Sequence, residues 1–127
     1  MISQELEAVL HKCFVEARSA LHRRVTLDHL LLAAIESEQA RQFLVSENIE
    51  IESFRTQLQE RVASTPHAGD SEDLQIEPTR DFQRTIQHTI ERVRSEGRAE
   101  VTTLDVLKSV LHPPPRMPWL RFWRGAA

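Results

Sequence analysis

Apolar residues recur at spacings of three and four along most of this chain, the pattern of helices that bury one face. Leu6, Leu10, Cys13, Phe14, Ala17 and Leu21 form the first such stripe, opposite Glu7, His11, Lys12 and Glu16, and Ser3 stands where an N-cap is wanted. The basic tripeptide His22-Arg23-Arg24 follows. Thr26 then caps a second helix with Asp28 in its first turn and Leu27, Leu30, Leu31, Ala34 and Ile35 facing inward, the face being widened by Leu32. A third helix fits Glu38 to Glu47, with Ala40, Phe43 and Leu44 inward and Asn48 as its stop. A fourth fits Glu50 to Ala63 along the stripe Ile51, Phe54, Leu58 and Val62.

Residues 65–77 carry Pro66, Gly69, Asp70, Ser71, Glu72 and Asp73 with no periodicity, and read as a linker. Pro78-Thr79 opens the next helix, which runs to about Glu96 and is ended by Gly97. Thr102 or Thr103 caps a further one, with Leu104, Leu107, Val110 and Leu111 apolar. Displaced by 76 positions, the chain matches itself without a gap: Leu6 falls on Phe82, Leu10 on Ile86, Phe14 on Ile90, Ala17 on Val93 and Val25-Thr26 on Val101-Thr102. The pattern therefore predicts an all-α fold in which two pseudo-twofold-related helical repeats pack as one bundle, the second repeat being incomplete. The expected organisation is a single domain over 1–127, with repeat one at 1–64, the linker at 65–77, a partial repeat two at 78–111 and a tail at 112–127. His112-Pro113-Pro114-Pro115 cannot continue a helix. At the same displacement Trp119-Leu120 falls on Phe43-Leu44, and is expected to fill the place of the missing third helix.

Composition narrows the class. Charged residues make up 28% of the 127 positions and hydrophobic ones 40%, with only 3 Gly and no Tyr, as in helical proteins that live in water. The net charge of −3, from 19 acidic and 16 basic residues, argues against nucleic acid as the main partner. Every basic residue except Lys12 and Lys108 is Arg. The lone Cys13 cannot form an internal disulfide, and neither a leader nor a run long enough to span a membrane is visible, so a cytoplasmic location is expected.

Two segments carry a family resemblance. Gln4-Glu5-Leu6, then Phe14-x-x-Ala17-Arg18, then Val25-Thr26-Leu27-Asp28-His29-Leu30-Leu31-Leu32-Ala33 resembles the amino-terminal repeat domain of Clp ATPases, in its ClpA-type variant. Pro78-Thr79-Arg80-Asp81-Phe82-Gln83-Arg84, ending in Glu100-Val101-Thr102, is similar to the second half of the same domain. The resemblance covers residues 1 to 111. It implies an all-α, two-repeat module that sits ahead of the ATPase rings, binds adaptors and helps admit substrates. It further implies that adaptor contacts gather at Arg23, Thr26 and Asp28 from one copy and Thr79, Arg80, Asp81 and Arg84 from the other. Arg23 departs from the family pattern, which favours an acid near that position; a reversed charge can abolish recognition by an adaptor evolved for the opposite sign. The last helices of the second repeat are missing as well.

Chemistry finds no foothold in the sequence. No G-x-x-x-x-G-K-[ST] phosphate loop is present, so ATP hydrolysis by that route is excluded, and no nucleophile elbow accompanies the Ser, His and Asp residues. Six histidines show neither H-E-x-x-H nor a paired i, i+4 spacing, so no metal or other cofactor is expected, although His22 and His29 flank one helix start and can approach each other. Cys13 lies on the apolar stripe and reads as a buried, inert thiol. Arg80, Arg84, Arg92, Arg94 and Arg98 read as a solvated helix face compensated by Asp81, Glu91 and Glu96. The expected function is that of a non-catalytic protein-binding module, with a Clp ATPase, a Clp adaptor or a substrate polypeptide as partner. The alternatives are a small DNA-associated regulator using the arginine-rich helix, or a degenerate remnant without a partner. Membrane binding through the Trp/Arg tail is not expected.

Overall fold

The computed structural model describes residues 2–20, 22–64 and 76–112. Among the described residues six helices carry the fold: α1 (Gln4–Ser19), α2 (Leu27–Ala34), α3 (Glu38–Ser46), α4 (Ile51–Ala63), α5 (Arg80–Ser95) and α6 (Thr103–Leu111). Two very short strands, β1 (Arg24–Val25) and β2 (Glu77–Pro78), precede α2 and α5. The expectations for Leu21, the linker before Ile76 and Trp119-Leu120 lie outside the described residues.

Helix boundaries follow the local chemistry. Ser3 and Thr79 are extended and accept the backbone N–H of Leu6 (3.0 Å) and of Phe82 (3.2 Å), so the first helix of each copy has the same cap, each worth about 1 kcal/mol. Thr102 caps α6 in the same way. Asn48 takes a φ of 62° at the end of α3 and Gly97 a φ of 76° after α5, left-handed conformations that Asn tolerates and Gly adopts without steric cost.

The copies are joined by a feature that hydrophobic periodicity does not signal. β1 and β2 pair in parallel, Arg24 opposite Glu77 and Val25 opposite Pro78, and Ile2 forms an isolated parallel bridge with Val101. Under the 76-residue displacement these are one interaction made twice. The Thr79 N–H donates to the Val25 carbonyl at 2.9 Å, and the Ser3 N–H donates to the Val101 carbonyl at 2.8 Å. The segment before the first helix of each copy thus pairs with the segment before the second helix of the other, which is a pseudo-twofold exchange.

A single core lies beneath. Leu6, Cys13 and Ala17 of α1, Leu30, Leu31 and Ile35 of the α2 region, Leu44, Phe54, Leu58, and Val93, Leu107 and Val110 are buried. Not every residue of the apolar stripes joins them. Leu10 and Phe14 on α1 and Ile86 and Ile90 on α5 are only partly buried and pack on the edge of the core. Conversely, Thr85, Thr89 and Ser109 are buried between α5 and α6, where the Thr89 hydroxyl donates to the Thr85 carbonyl at 2.7 Å and pairs with the Ser109 hydroxyl at 2.9 Å. Their counterparts in the first copy, Val9, Cys13 and Ala33, are apolar.

This division predicts unequal costs of truncation. Leu31→Ala, at a fully buried site, should lower unfolding free energy by about 3 kcal/mol in urea titrations, whereas Phe14→Ala, at a half-open one, should cost roughly half as much. Equal losses would show that Phe14 belongs to the core.

Candidate protein-binding surface

The exchanged pairing fixes where the residues expected at the partner surface end up. Because Val25 sits beside Pro78 and accepts from Thr79, the starts of α2 and α5 lie side by side, and the Arg23 carbonyl accepts the Glu77 N–H at 3.1 Å. Arg23, Arg80, Asp81 and Arg84 are exposed there, and Arg24, which was not among the expected residues, is exposed with them. Thr26 and Thr79 are half-buried caps.

Asp28 differs from its neighbours. Its side chain is 19% exposed and lies 3.9 Å from Nη1 of Arg61 on α4, so most of the carboxylate faces the α2–α4 interface. Burial pushes its pKa up, against the opposing pull of Arg61 and a hydrogen bond from Thr26. Of the expected surface residues it is the one most committed to holding the fold.

Beneath β1 lies a buried histidine pair. Nδ1 of His22 and Nε2 of His29 are 2.9 Å apart, both residues being 3% exposed. The Thr26 N–H donates to His29 Nδ1 at 3.0 Å, which leaves the proton of neutral His29 on Nε2, where it donates to His22. Burial, and secondarily the His22 charge, pull the His29 pKa from 6.5 down to about 4. The second copy solves the same problem differently. The matching residues are Arg98 and Asp105, joined by two hydrogen bonds of 2.8 Å, and Asp105 accepts from the Thr102 N–H at 2.8 Å as His29 accepts from that of Thr26. Burial raises the Asp105 pKa, but the Arg98 and Thr102 hydrogen bonds outweigh it and hold the carboxyl below its usual range. Each pair clamps the start of its copy's second helix, the imidazoles beside the pairing of Val25 with Pro78 and the ion pair beside that of Val101 with Ile2.

Beside the seam an apolar groove of about 530 Å³ runs between α1 and α5. Leu10, Phe14, Phe82, Ile86 and Ile90 line it, with Phe14 and Phe82 edge to face at 6.0 Å between ring centroids. Gln83, Gln87, Glu91 and Arg94 form its polar side. The sequence put Leu10 and Phe14 on the inward stripe of α1 and matched them to Ile86 and Ile90 of the second copy. The available signal was the width of the stripe, because Leu10 and Phe14 extend α1 beyond the face that Leu6, Val9, Cys13 and Ala17 already bury.

Burial pushes the Cys13 thiol up to about 12, and it donates to the Leu10 carbonyl at 3.1 Å. Among the described residues no group of three or more His, Cys, Asp or Glu side chains could hold a metal ion, and no helix is long and apolar enough to cross a membrane.

Comparison with known proteins agrees with this geometry. Residues 1–113 match the model of the Clp repeat (R) N-terminal domain. The chain belongs to that family. It is 31% identical over 110 residues to a ClpA homolog protein of Fuscovulum blasticum, covering 85% of this chain and 14% of the relative, so it spans about a seventh of that protein's length. The Hsp104 N-terminal domain from Candida albicans superposes with a TM-score of 0.82 at 12% identity, covering 98% of this chain and 81% of that domain. A protein solved in preliminary structural investigations of a malarial protein secretion system superposes at 0.72 and 12% identity, over 99% and 86% of the two chains. At that identity the two structures establish the shared helical-repeat fold of the Clp N domain.

The histidine pair predicts a pH dependence of stability. His29 takes up a proton near pH 6.5 when unfolded but only near pH 4 when folded, so the unfolded state binds more protons between those values. Stability from this residue is complete above pH 6.5 and should fall by about 3 kcal/mol as the pH drops to 4. Urea unfolding of the native chain and of His29→Gln across this range checks it. A slope identical in the two proteins would show that the buried pair is not its source.

Proposed function

We propose that this chain is a non-catalytic protein-binding module of the Clp N-domain kind, which engages an adaptor, a substrate polypeptide or a component of a Clp machine and thereby regulates proteolysis or protein remodelling in the cytoplasm. What supports the reading most is one arrangement: residues from both copies, Arg23, Thr26 and Asp28 with Thr79, Arg80, Asp81 and Arg84, lie around a single seam beside an open apolar groove. An apolar cleft with a polar, charged border is the usual form of a polypeptide-binding surface. Within the set, Asp28 acts by positioning the start of α2, and the exposed members make the contact.

The DNA-associated reading loses ground for a specific reason. Of the arginines on and after α5, Arg92 donates to the Asp105 carbonyl at 2.7 Å and Arg98 is bound to the Asp105 carboxylate, so both are engaged by groups of the chain itself. The continuous basic face that phosphate neutralisation needs is interrupted.

A pull-down from the source cell's lysate, comparing tagged wild type with Arg80→Glu/Arg84→Glu, tests the function. Wild type should retain a Clp ATPase, its peptidase or an adaptor, and the variant at least about tenfold less. Retention of no Clp component by wild type, or equal retention by both proteins, would contradict the proposal.

A further inference from the structure

The pseudo-twofold provides an internal control that separates residues the fold needs from residues it does not. The face around Val25 and Thr79 has a twin around Val101 and Ser3, built on the same backbone hydrogen bonds of 2.9 and 2.8 Å. Structural residues recur on both: the caps Thr79 and Ser3, Thr26 and Thr102, and the apolar Val25 and Val101. The arginines do not recur. Arg23 corresponds to Ala99, Arg24 to Glu100, Arg80 to Gln4 and Arg84 to Ala8. Since the same scaffold forms without arginine on the twin face, these side chains are not required to make it.

Their state agrees. Arg23, Arg24 and Arg80 are exposed, and among the described residues their guanidinium groups make no hydrogen bond or ion pair. Arg84 is exposed one helical turn from Arg80. The fully ionised, weakly hydrated guanidinium is the side chain best suited to bind carboxylates in pairs. The local excess of positive charge occurs in a chain whose net charge is −3, so general electrostatics would not produce it. On α5, Arg80 and Arg84 adjoin Gln83 and Gln87, which border the apolar groove, by spacings of three. The twin face instead carries Glu5 and Glu100 around a polar hollow that includes Ile2, Gln4 and Thr102.

We propose that the partner of this module presents an acidic-apolar polypeptide segment, whose carboxylates pair with Arg23, Arg24, Arg80 and Arg84 while its apolar side chains enter the groove between α1 and α5. This rests on the protein-binding reading above and specifies the chemistry of the partner. A polypeptide fits better than a nucleic acid because Glu77 and Asp81 are exposed among the arginines. A peptide can place amides or hydroxyls opposite those acids, whereas a phosphate backbone carries charge at every step.

The experiment uses fluorescence anisotropy with a labelled peptide of repeating Glu-Glu-Leu, its Gln-Gln-Leu and Lys-Lys-Leu counterparts, and single-stranded DNA of similar length. The Glu-Glu-Leu peptide should bind at least about tenfold more tightly than the other probes and lose that advantage as salt is raised. Arg23→Glu/Arg80→Glu, at exposed positions, should abolish the preference with unchanged circular dichroism, and Glu100→Arg on the twin face should leave it intact. Equal affinity for the Glu and Gln peptides would overturn the acidic specificity while leaving a protein-binding groove. Binding of none of the peptides would overturn both readings, and tighter binding of DNA would replace the polypeptide with nucleic acid. Sedimentation of the protein alone, showing a dimer that the arginine variant dissolves, would overturn the proposal by assigning the arginines to a second copy.

Discussion

Two backbone hydrogen bonds, Ser3 N–H to Val101 and Thr79 N–H to Val25, are the constraint on which the arrangement depends. Each copy is a set of helices with one apolar face, and neither can bury that face alone. The exchanged pairing of the pre-helix segments relates the copies by a pseudo-twofold, so that Leu6, Leu30, Leu31, Leu107 and Val110 enter one core. It also places the N-terminal ends of α2 and α5 side by side, which is why residues far apart in sequence share one surface. The same bonds leave α1 and α5 flanking an open groove.

The pairs His22–His29 and Arg98–Asp105 show how little of the chemistry this scaffold prescribes. Both fix the residue three places after the second-helix cap to the segment before it, one through two imidazoles and the other through a charged pair. They differ in consequence. The imidazole pair weakens as acid is added below pH 6.5, whereas the carboxylate resists protonation until well into the acid range. The polar seam of Thr85, Thr89 and Ser109, set against Val9, Cys13 and Ala33, makes the same point inside the core: geometry recurs while side chains are free to differ, provided that each buried hydroxyl finds a partner.

Much of the fold was legible in the sequence because its signals are local. Caps at Ser3, at Thr26 and at Thr102 or Thr103, the helix opening at Pro78-Thr79, the stops at Asn48 and Gly97 and the helical stripes each depend on a few neighbouring residues. The repeat was legible because apolar positions coincide at a fixed displacement. β1 and β2 were not, since two-residue strands have no periodicity and their partner lies across the linker. Nor could periodicity reveal that Leu10, Phe14, Ile86 and Ile90 border a groove; a stripe shows which face is apolar and not whether another helix covers it. The surface residues came from the family resemblance. That Asp28 is held against Arg61 depends on how α4 packs on α2, and Arg24 became visible as a neighbour only through the pairing with Glu77.

Native-state hydrogen exchange at the amides of Ser3 and Thr79 tests the seam most directly. If the exchanged pairing joins the copies into one cooperative unit, both amides should be protected and should exchange with the free energy of global unfolding, as the core amides of Leu31 and Leu107 do. Exchange of either amide at the rate of an open loop, with the helices still protected, would show that the copies are held together by side-chain packing alone and that the shared surface has no fixed frame.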